Sequence, residues 1–253
     1  MTLSRQDARR VLRFVVTLFS FALAWILNLP IALADHPSPE DLFKRLSALA
    51  PTGNADVQYN LGMFLNNGIG TNRDNHAAFQ LFLQAAQGGN ELAAYKVGCY
   101  YAGQFSGAVT PDSDQAFEFK LRAAKAGYDL AQTDIALVFI RKGDNAQAMT
   151  WLERASHQNN RSATALLAEY LASERSPDKV KGLGLMLALK DRMPNMPQEA
   201  QARITVLESQ LSASEKAAAE QIRSAWFEGP SPLTRQARDG ISAVPALLTS
   251  LEQ

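Results

Sequence analysis

The residues of this chain that could do chemistry are few and far apart. Its three histidines, His36, His76 and His157, are scattered without metal-ligand spacing. Cys99 is the only cysteine, so it forms no internal disulfide; redox sensing is open to it, against the simpler role of a small buried side chain. Gly68-Ile69-Gly70 could suggest a phosphate-cradling loop. It follows a helical pattern rather than a strand, so ending that helix in left-handed backbone is the favoured reading. Carboxylates are dispersed, and no G-x-S-x-G, P-loop or H-E-x-x-H occurs. His76 and His157 fall near the ends of expected helices, where a solvated surface position accounts for them. The expectation is a chain without catalytic residues, metal or cofactor.

Charge narrows the partners. The 253 residues hold 25 basic and 25 acidic side chains. Residues 1–34 take four of the arginines (Arg5, Arg9, Arg10, Arg13) and one acid, Asp7, so the remainder has 21 basic and 24 acidic residues, a net of −3. That body lacks the basic footprint of a nucleic-acid binder. Residues 14–29, FVVTLFSFALAWILNL, are uncharged and lead through Pro30 to Ala32-Leu33-Ala34. A basic start, an apolar run and small residues at the end make a secretory signal, with cleavage expected after Ala34. Arg9-Arg10 is a faint twin-arginine feature, and the general secretion route is favoured over it. The alternative is an uncleaved membrane anchor, since the run approaches the ~20 residues that span a bilayer. Export without disulfides points to a Gram-negative periplasm, with no stable membrane insertion once the signal is cut.

The elements that would position any site come from a repeat. Residues 55–90 align with 91–128: Leu61-Gly62 with Val97-Gly98, Leu65 with Tyr101, Ala78-Phe79 with Ala116-Phe117, and Ala85-Ala86 with Ala123-Ala124. A third copy, 129–160, carries Ile135-Ala136, Phe139, Ala148-Met149 and Ala155-Ser156. A weaker fourth, 161–192, carries Leu167-Ala168, Leu171, Gly182-Leu183 and Leu189. Each copy reads as two helices. Val57, Leu61, Phe64 and Leu65 share one face of the first, and Ala78, Leu81, Phe82, Ala85 and Ala86 one face of the second. Small residues let helices approach closely, bulky ones fill the space between, and stacking buries what one hairpin cannot.

The pattern resembles the Sel-1-like repeat: A-x3-LG-x2-Y-x2-G-x-G, then D-x3-A, an aromatic, and AA-x2-G. The first copy supplies Val57, Leu61-Gly62, Leu65, Gly68, Gly70, Asp74, Ala78, Leu81, Ala85-Ala86 and Gly89. The second supplies Ala93, Val97-Gly98, Tyr101, Gly103, Ala116, Phe119, Ala123-Ala124 and Gly127. The third drifts toward the related tetratricopeptide pattern. The resemblance covers residues 54–192. It implies an all-α fold, a right-handed α-solenoid of antiparallel helix hairpins, and an adaptor role in signalling or envelope assembly.

Around the repeats, residues 35–53 hold a capping helix started by Ser38 and Pro39. Residues 193–228 hold two C-terminal capping helices, and 229–253 a linker with short terminal helix or mobile tail. In such stacks the first helix of each pair lines a concave groove. Residues two before and two after Leu61, Val97 and Ile135 are expected to face it: Tyr59, Met63, Tyr95, Cys99, Thr133 and Leu137, with Asn66 on the same side. This aromatic, uncharged set suits a peptide or protein partner. The expected function is an exported interaction scaffold. The alternatives are an envelope enzyme acting on wall or glycan and a purely structural subunit.

Overall fold

The computed structural model describes residues 37–105, 107–173 and 178–253. The expected export signal, its cleavage point and His36 lie outside these residues. Ser38 opens α1 (Pro39–Leu49): its Oγ accepts the Asp41 amide at 3.1 Å, and Pro39 sits where no backbone donor is needed. A 3-10 turn then leads into four hairpins. These are α2 (Ala55–Asn67) with α3 (Asn75–Gln87), α4 (Glu91–Tyr101) with α5 (Ser113–Lys125), α6 (Asp129–Lys142) with α7 (Asn145–His157), and α8 (Arg161–Leu171) with α9 (Lys179–Arg192). Consecutive helices pack on each other within and between hairpins, and no strand occurs among the described residues. The expected all-α solenoid is the observed fold.

Local chemistry sets the helix starts. Asp74, Asp112, Asp144 and Asp178 cap the second helix of each hairpin, each accepting backbone amides on its carboxylate. Asn54, Asn90 and Asn160 cap first helices in the same way. The repeat caps also reach across hairpins: Asn90 donates to Asp56 at 2.7 Å, and Asn160 to Asp129 at 3.3 Å.

Two glycines show how tightly the pairs close. A Cβ on Gly62 would stand 2.7 Å from the buried Phe82 ring, and one on Gly98 2.7 Å from the Lys120 side chain. Gly70 has a left-handed φ of 62°, and a side chain there would overlap the Pro39 carbonyl, so it is the point where α1 meets the first hairpin.

Past the hairpins come α10 (Gln198–Gln210) and α11 (Ala213–Ala225), the latter packed on α9. Residues 229–253, expected as a linker with a short terminal helix or mobile tail, form α12 (Pro232–Asp239), a 3-10 turn and α13 (Val244–Leu251). This segment travels back along the stack. Ser231 and Thr234 bond to residues at the start of α6, α12 touches α4, and α13 touches α1. Val244 and Leu248 are buried in one cluster with Leu42, Leu46, Val57 and Phe64. Arg45 grips Glu252 at 2.6 Å. The outer face of the first hairpin is thus covered by both ends of the described chain.

Candidate functional site

The first helices α2, α4 and α6 bring the expected residues to neighbouring positions but present them unequally. Tyr59, half-buried, tilts against Phe82 with ring centroids 6.0 Å apart, and burial pushes its phenol up to about 12. Tyr95 meets Tyr128 edge-on at 4.9 Å, and its hydroxyl donates to Asp134 at 3.4 Å. Met63 is partly buried against the core that Phe79, Phe82, Val97 and Tyr100 form. Leu137 is partly exposed.

Three of the expected residues do not face solvent. Asn66 is 4% exposed and accepts the Tyr100 hydroxyl at 2.8 Å. Cys99 is equally covered, and burial pushes its thiol up, away from the thiolate that redox sensing needs. Thr133 donates to the Asp129 carbonyl and is buried. The reason is geometric. In α4, flanked by α3, its own partner α5 and α12, the buried residues run round most of the helix: Leu92, Ala93, Ala94, Val97, Gly98, Cys99 and Tyr100. Cys99 and Thr133 fall on such packed flanks, whereas Tyr59, Met63, Tyr95 and Leu137 are covered only in part. His157 departs from its surface reading as well: its ring stacks on Trp226 at 4.1 Å, and Nδ1 lies 2.7 Å from the Trp226 carbonyl oxygen.

What is open on this side of the stack is a crevice of about 610 Å³ between α5 and α6. Its apolar lining is Ala116, Phe117, Ile135, Leu137 and Val138; Arg141 and Lys142 stand at its rim. The connection between α4 and α5 beside it is longer than that between α6 and α7, where Gly143 and Asp144 alone join the helices. Below, Lys120 and Asp134 pair at 2.6 Å and neutralise each other. Lys142 lies 5.0 Å above the Phe117 ring. Phe117, Val138, Arg141 and Lys142 were not among the expected residues; the drop in Ala-Ala spacing from 38 to 32 is the signal that could have found them. No group of three or more His, Cys, Asp or Glu converges as for a metal among the described residues.

The model of the Sel1 repeat family matches residues 55–90, 92–128 and 138–160. The chain carries three Sel1 repeats. The fourth hairpin, α8 with α9, belongs to the same stack although the family match stops before it. Among solved structures, a Sel1 repeat protein from Oxalobacter formigenes is similar at 23% identity and a TM-score of 0.57, covering 74% of this chain and 79% of that one. A protective antigen of uropathogenic Escherichia coli with an SLR fold aligns at 18% identity and a TM-score of 0.48, over 77% of this chain; the chain spans half of that protein's length. An immunity protein of Pseudomonas aeruginosa aligns at 16% identity and 0.45, covering 79% and 81% of the two chains. No curated protein matches. Sel1 repeats generally mediate protein interactions.

Proposed function

We propose that this Sel1-repeat protein is an exported, periplasmic interaction scaffold and not an enzyme, and that it holds a peptide segment of a protein partner on its first-helix side. The observation that carries this reading is the crevice at Phe117, Leu137 and Val138. It offers an apolar floor that desolvates a partner's side chain, and polar lining in which Arg141 and Lys142 outnumber Asp114 once Lys120 and Asp134 have paired with each other. The fitting segment is an apolar side chain flanked by an acid. Of the expected groove residues, Leu137 is the one that lines this crevice; Tyr95 bonds to Asp134 in its lining, whereas Tyr59 and Met63 pack on the Phe82 core instead.

The test is cross-linking in intact cell envelopes. Leu137→Asp and Arg141→Glu are each expected to cut recovery of the cross-linked partner at least tenfold, with circular dichroism and melting unchanged. Equal recovery from both variants and the parent would remove the crevice from consideration. Export has its own check: the periplasmic protein is expected to begin at Asp35, and recovery of the intact N-terminus in the membrane fraction would mean that the signal stays as an anchor.

A further inference from the structure

Methionine is used sparingly in this chain, yet three of its six methionines, Met186, Met193 and Met196, line one pocket. The pocket has a volume of about 200 Å³ and lies where α8, α9 and the start of α10 meet. Local structure explains why the three converge. Met193 closes α9, and Pro194 then turns the chain so that the Met196 amide donates to the Met193 carbonyl at 3.0 Å. The ends of such a turn stand within about 7 Å of each other. Gln201 holds the far end, its Nε2 donating to the Met196 carbonyl at 2.7 Å. Met186 precedes Met193 by two helical turns and so falls on the same face of α9.

Met186 and Met196 are buried, and Met193 is partly so. The rest of the lining includes Ala165, Ala168 and Ala200, side chains too short to fill the space. Glu169 lines the same pocket. It is exposed and makes no ion pair among the described residues. Thioether sulfur is a soft, uncharged donor: it suits Cu(I) and the like-charged Ag(I), whereas zinc, calcium and magnesium call for nitrogen, thiolate or oxygen donors that this pocket does not gather. Three neutral sulfurs leave the single charge of such an ion uncompensated, and the Glu169 carboxylate offsets it.

We propose that Met186, Met193 and Met196 form a thioether site for a soft monovalent cation of the Cu(I) class, with Glu169 balancing its charge. The site lies on the last hairpin and α10, apart from the crevice between α5 and α6. It goes beyond the scaffold reading, and either can fail without the other.

The experiment titrates the full chain, isotope-labelled at its methionine methyl groups, with silver nitrate in chloride-free buffer. The methyl signals of Met186, Met193 and Met196 are expected to move together and to saturate at a single equivalent, while those of Met63 and Met149 stay in place. The triple variant Met186→Leu, Met193→Leu, Met196→Leu keeps the volume and apolarity of the pocket. It is expected to bind silver about tenfold or more weakly than the parent with helicity unchanged, and Glu169→Gln about threefold more weakly. Signals that do not move, or that move as much for Met63 and Met149, overturn the proposal. So does silver held by Cys99 alone, recognised as binding that the triple variant keeps and Cys99→Ser loses. Should the triple variant fail to fold, the methyl signals of the parent decide.

Discussion

At the scale of single residues, the glycines and the buried polar groups carry the sharpest consequences. Gly62 faces a fully buried Phe82 ring that has nowhere to retreat. Gly62→Ala is therefore expected to lower stability by about 1–3 kcal/mol through overpacking, seen as a reduced midpoint in urea with the slope unchanged. Cys99 is expected to ignore a thiol reagent in the native protein and react once the chain is denatured, because its thiol is covered and held protonated. The tyrosines give a pH dependence. Tyr59 and Tyr100 are both pushed up to about 12, chiefly by burial, from an ordinary 10.0. Between those values the folded chain keeps protons that the unfolded chain has released. Stability is therefore complete below pH 10 and is lost as pH rises through about 12. The part of the tyrosinate absorbance that Tyr59→Phe and Tyr100→Phe remove is expected to appear together with the loss of helical circular dichroism; its appearance at pH 10 with the helices intact would contradict the assignment.

At the scale of helices, the repeat was legible because its signals are local. Leu61-Gly62 and Val97-Gly98 pair a core side chain with the glycine that admits the neighbouring helix, and both can be read from spacing alone. The fourth hairpin was dimmer because Gly182 stands where the other copies have alanine; a Cβ there would stand 2.8 Å from the Ala172 amide nitrogen. The aspartate caps went largely unread, although Asp112 and Asp144 stand four residues before Ala116 and Ala148 just as Asp74 stands before Ala78. Asp112→Ala is expected to cost about 1 kcal/mol and to speed hydrogen exchange in the first turn of α5, where its carboxylate now accepts the Asp114 and Gln115 amides. The candidate site was less legible. Helical periodicity tells which residues point away from one neighbour, whereas Asn66, Cys99 and Thr133 are buried by more than one, as Tyr100 of the next hairpin covers Asn66. The crevice at Phe117 lies between two hairpins, which no single repeat displays.

At the scale of the whole molecule, α13 packs on α1 and closes the start of the stack. The Arg45–Glu252 pair is partly exposed, with side chains 35% and 46% accessible, and pairs of that kind contribute about 0–1 kcal/mol. Leu248 is fully buried among Leu46, Val57 and Phe64. Leu248→Ala is accordingly expected to cost about 2–5 kcal/mol, and Arg45→Ala little. Thermal melts of the two variants side by side check the ranking, and a larger loss from Arg45→Ala would reverse it.

The return of the C-terminal segment also sets an order of events during synthesis. Hairpins in a stack touch only their neighbours, so each can form as it emerges. The patch made by Leu42, Leu46, Val57 and Phe64 is different: part of its cover, Val244 and Leu248, is made only after all four hairpins have emerged. The helix that leads the stack is thus sealed after the hairpins that follow it. A chain cut off before Val244 carries a stack with a sticky, uncovered beginning.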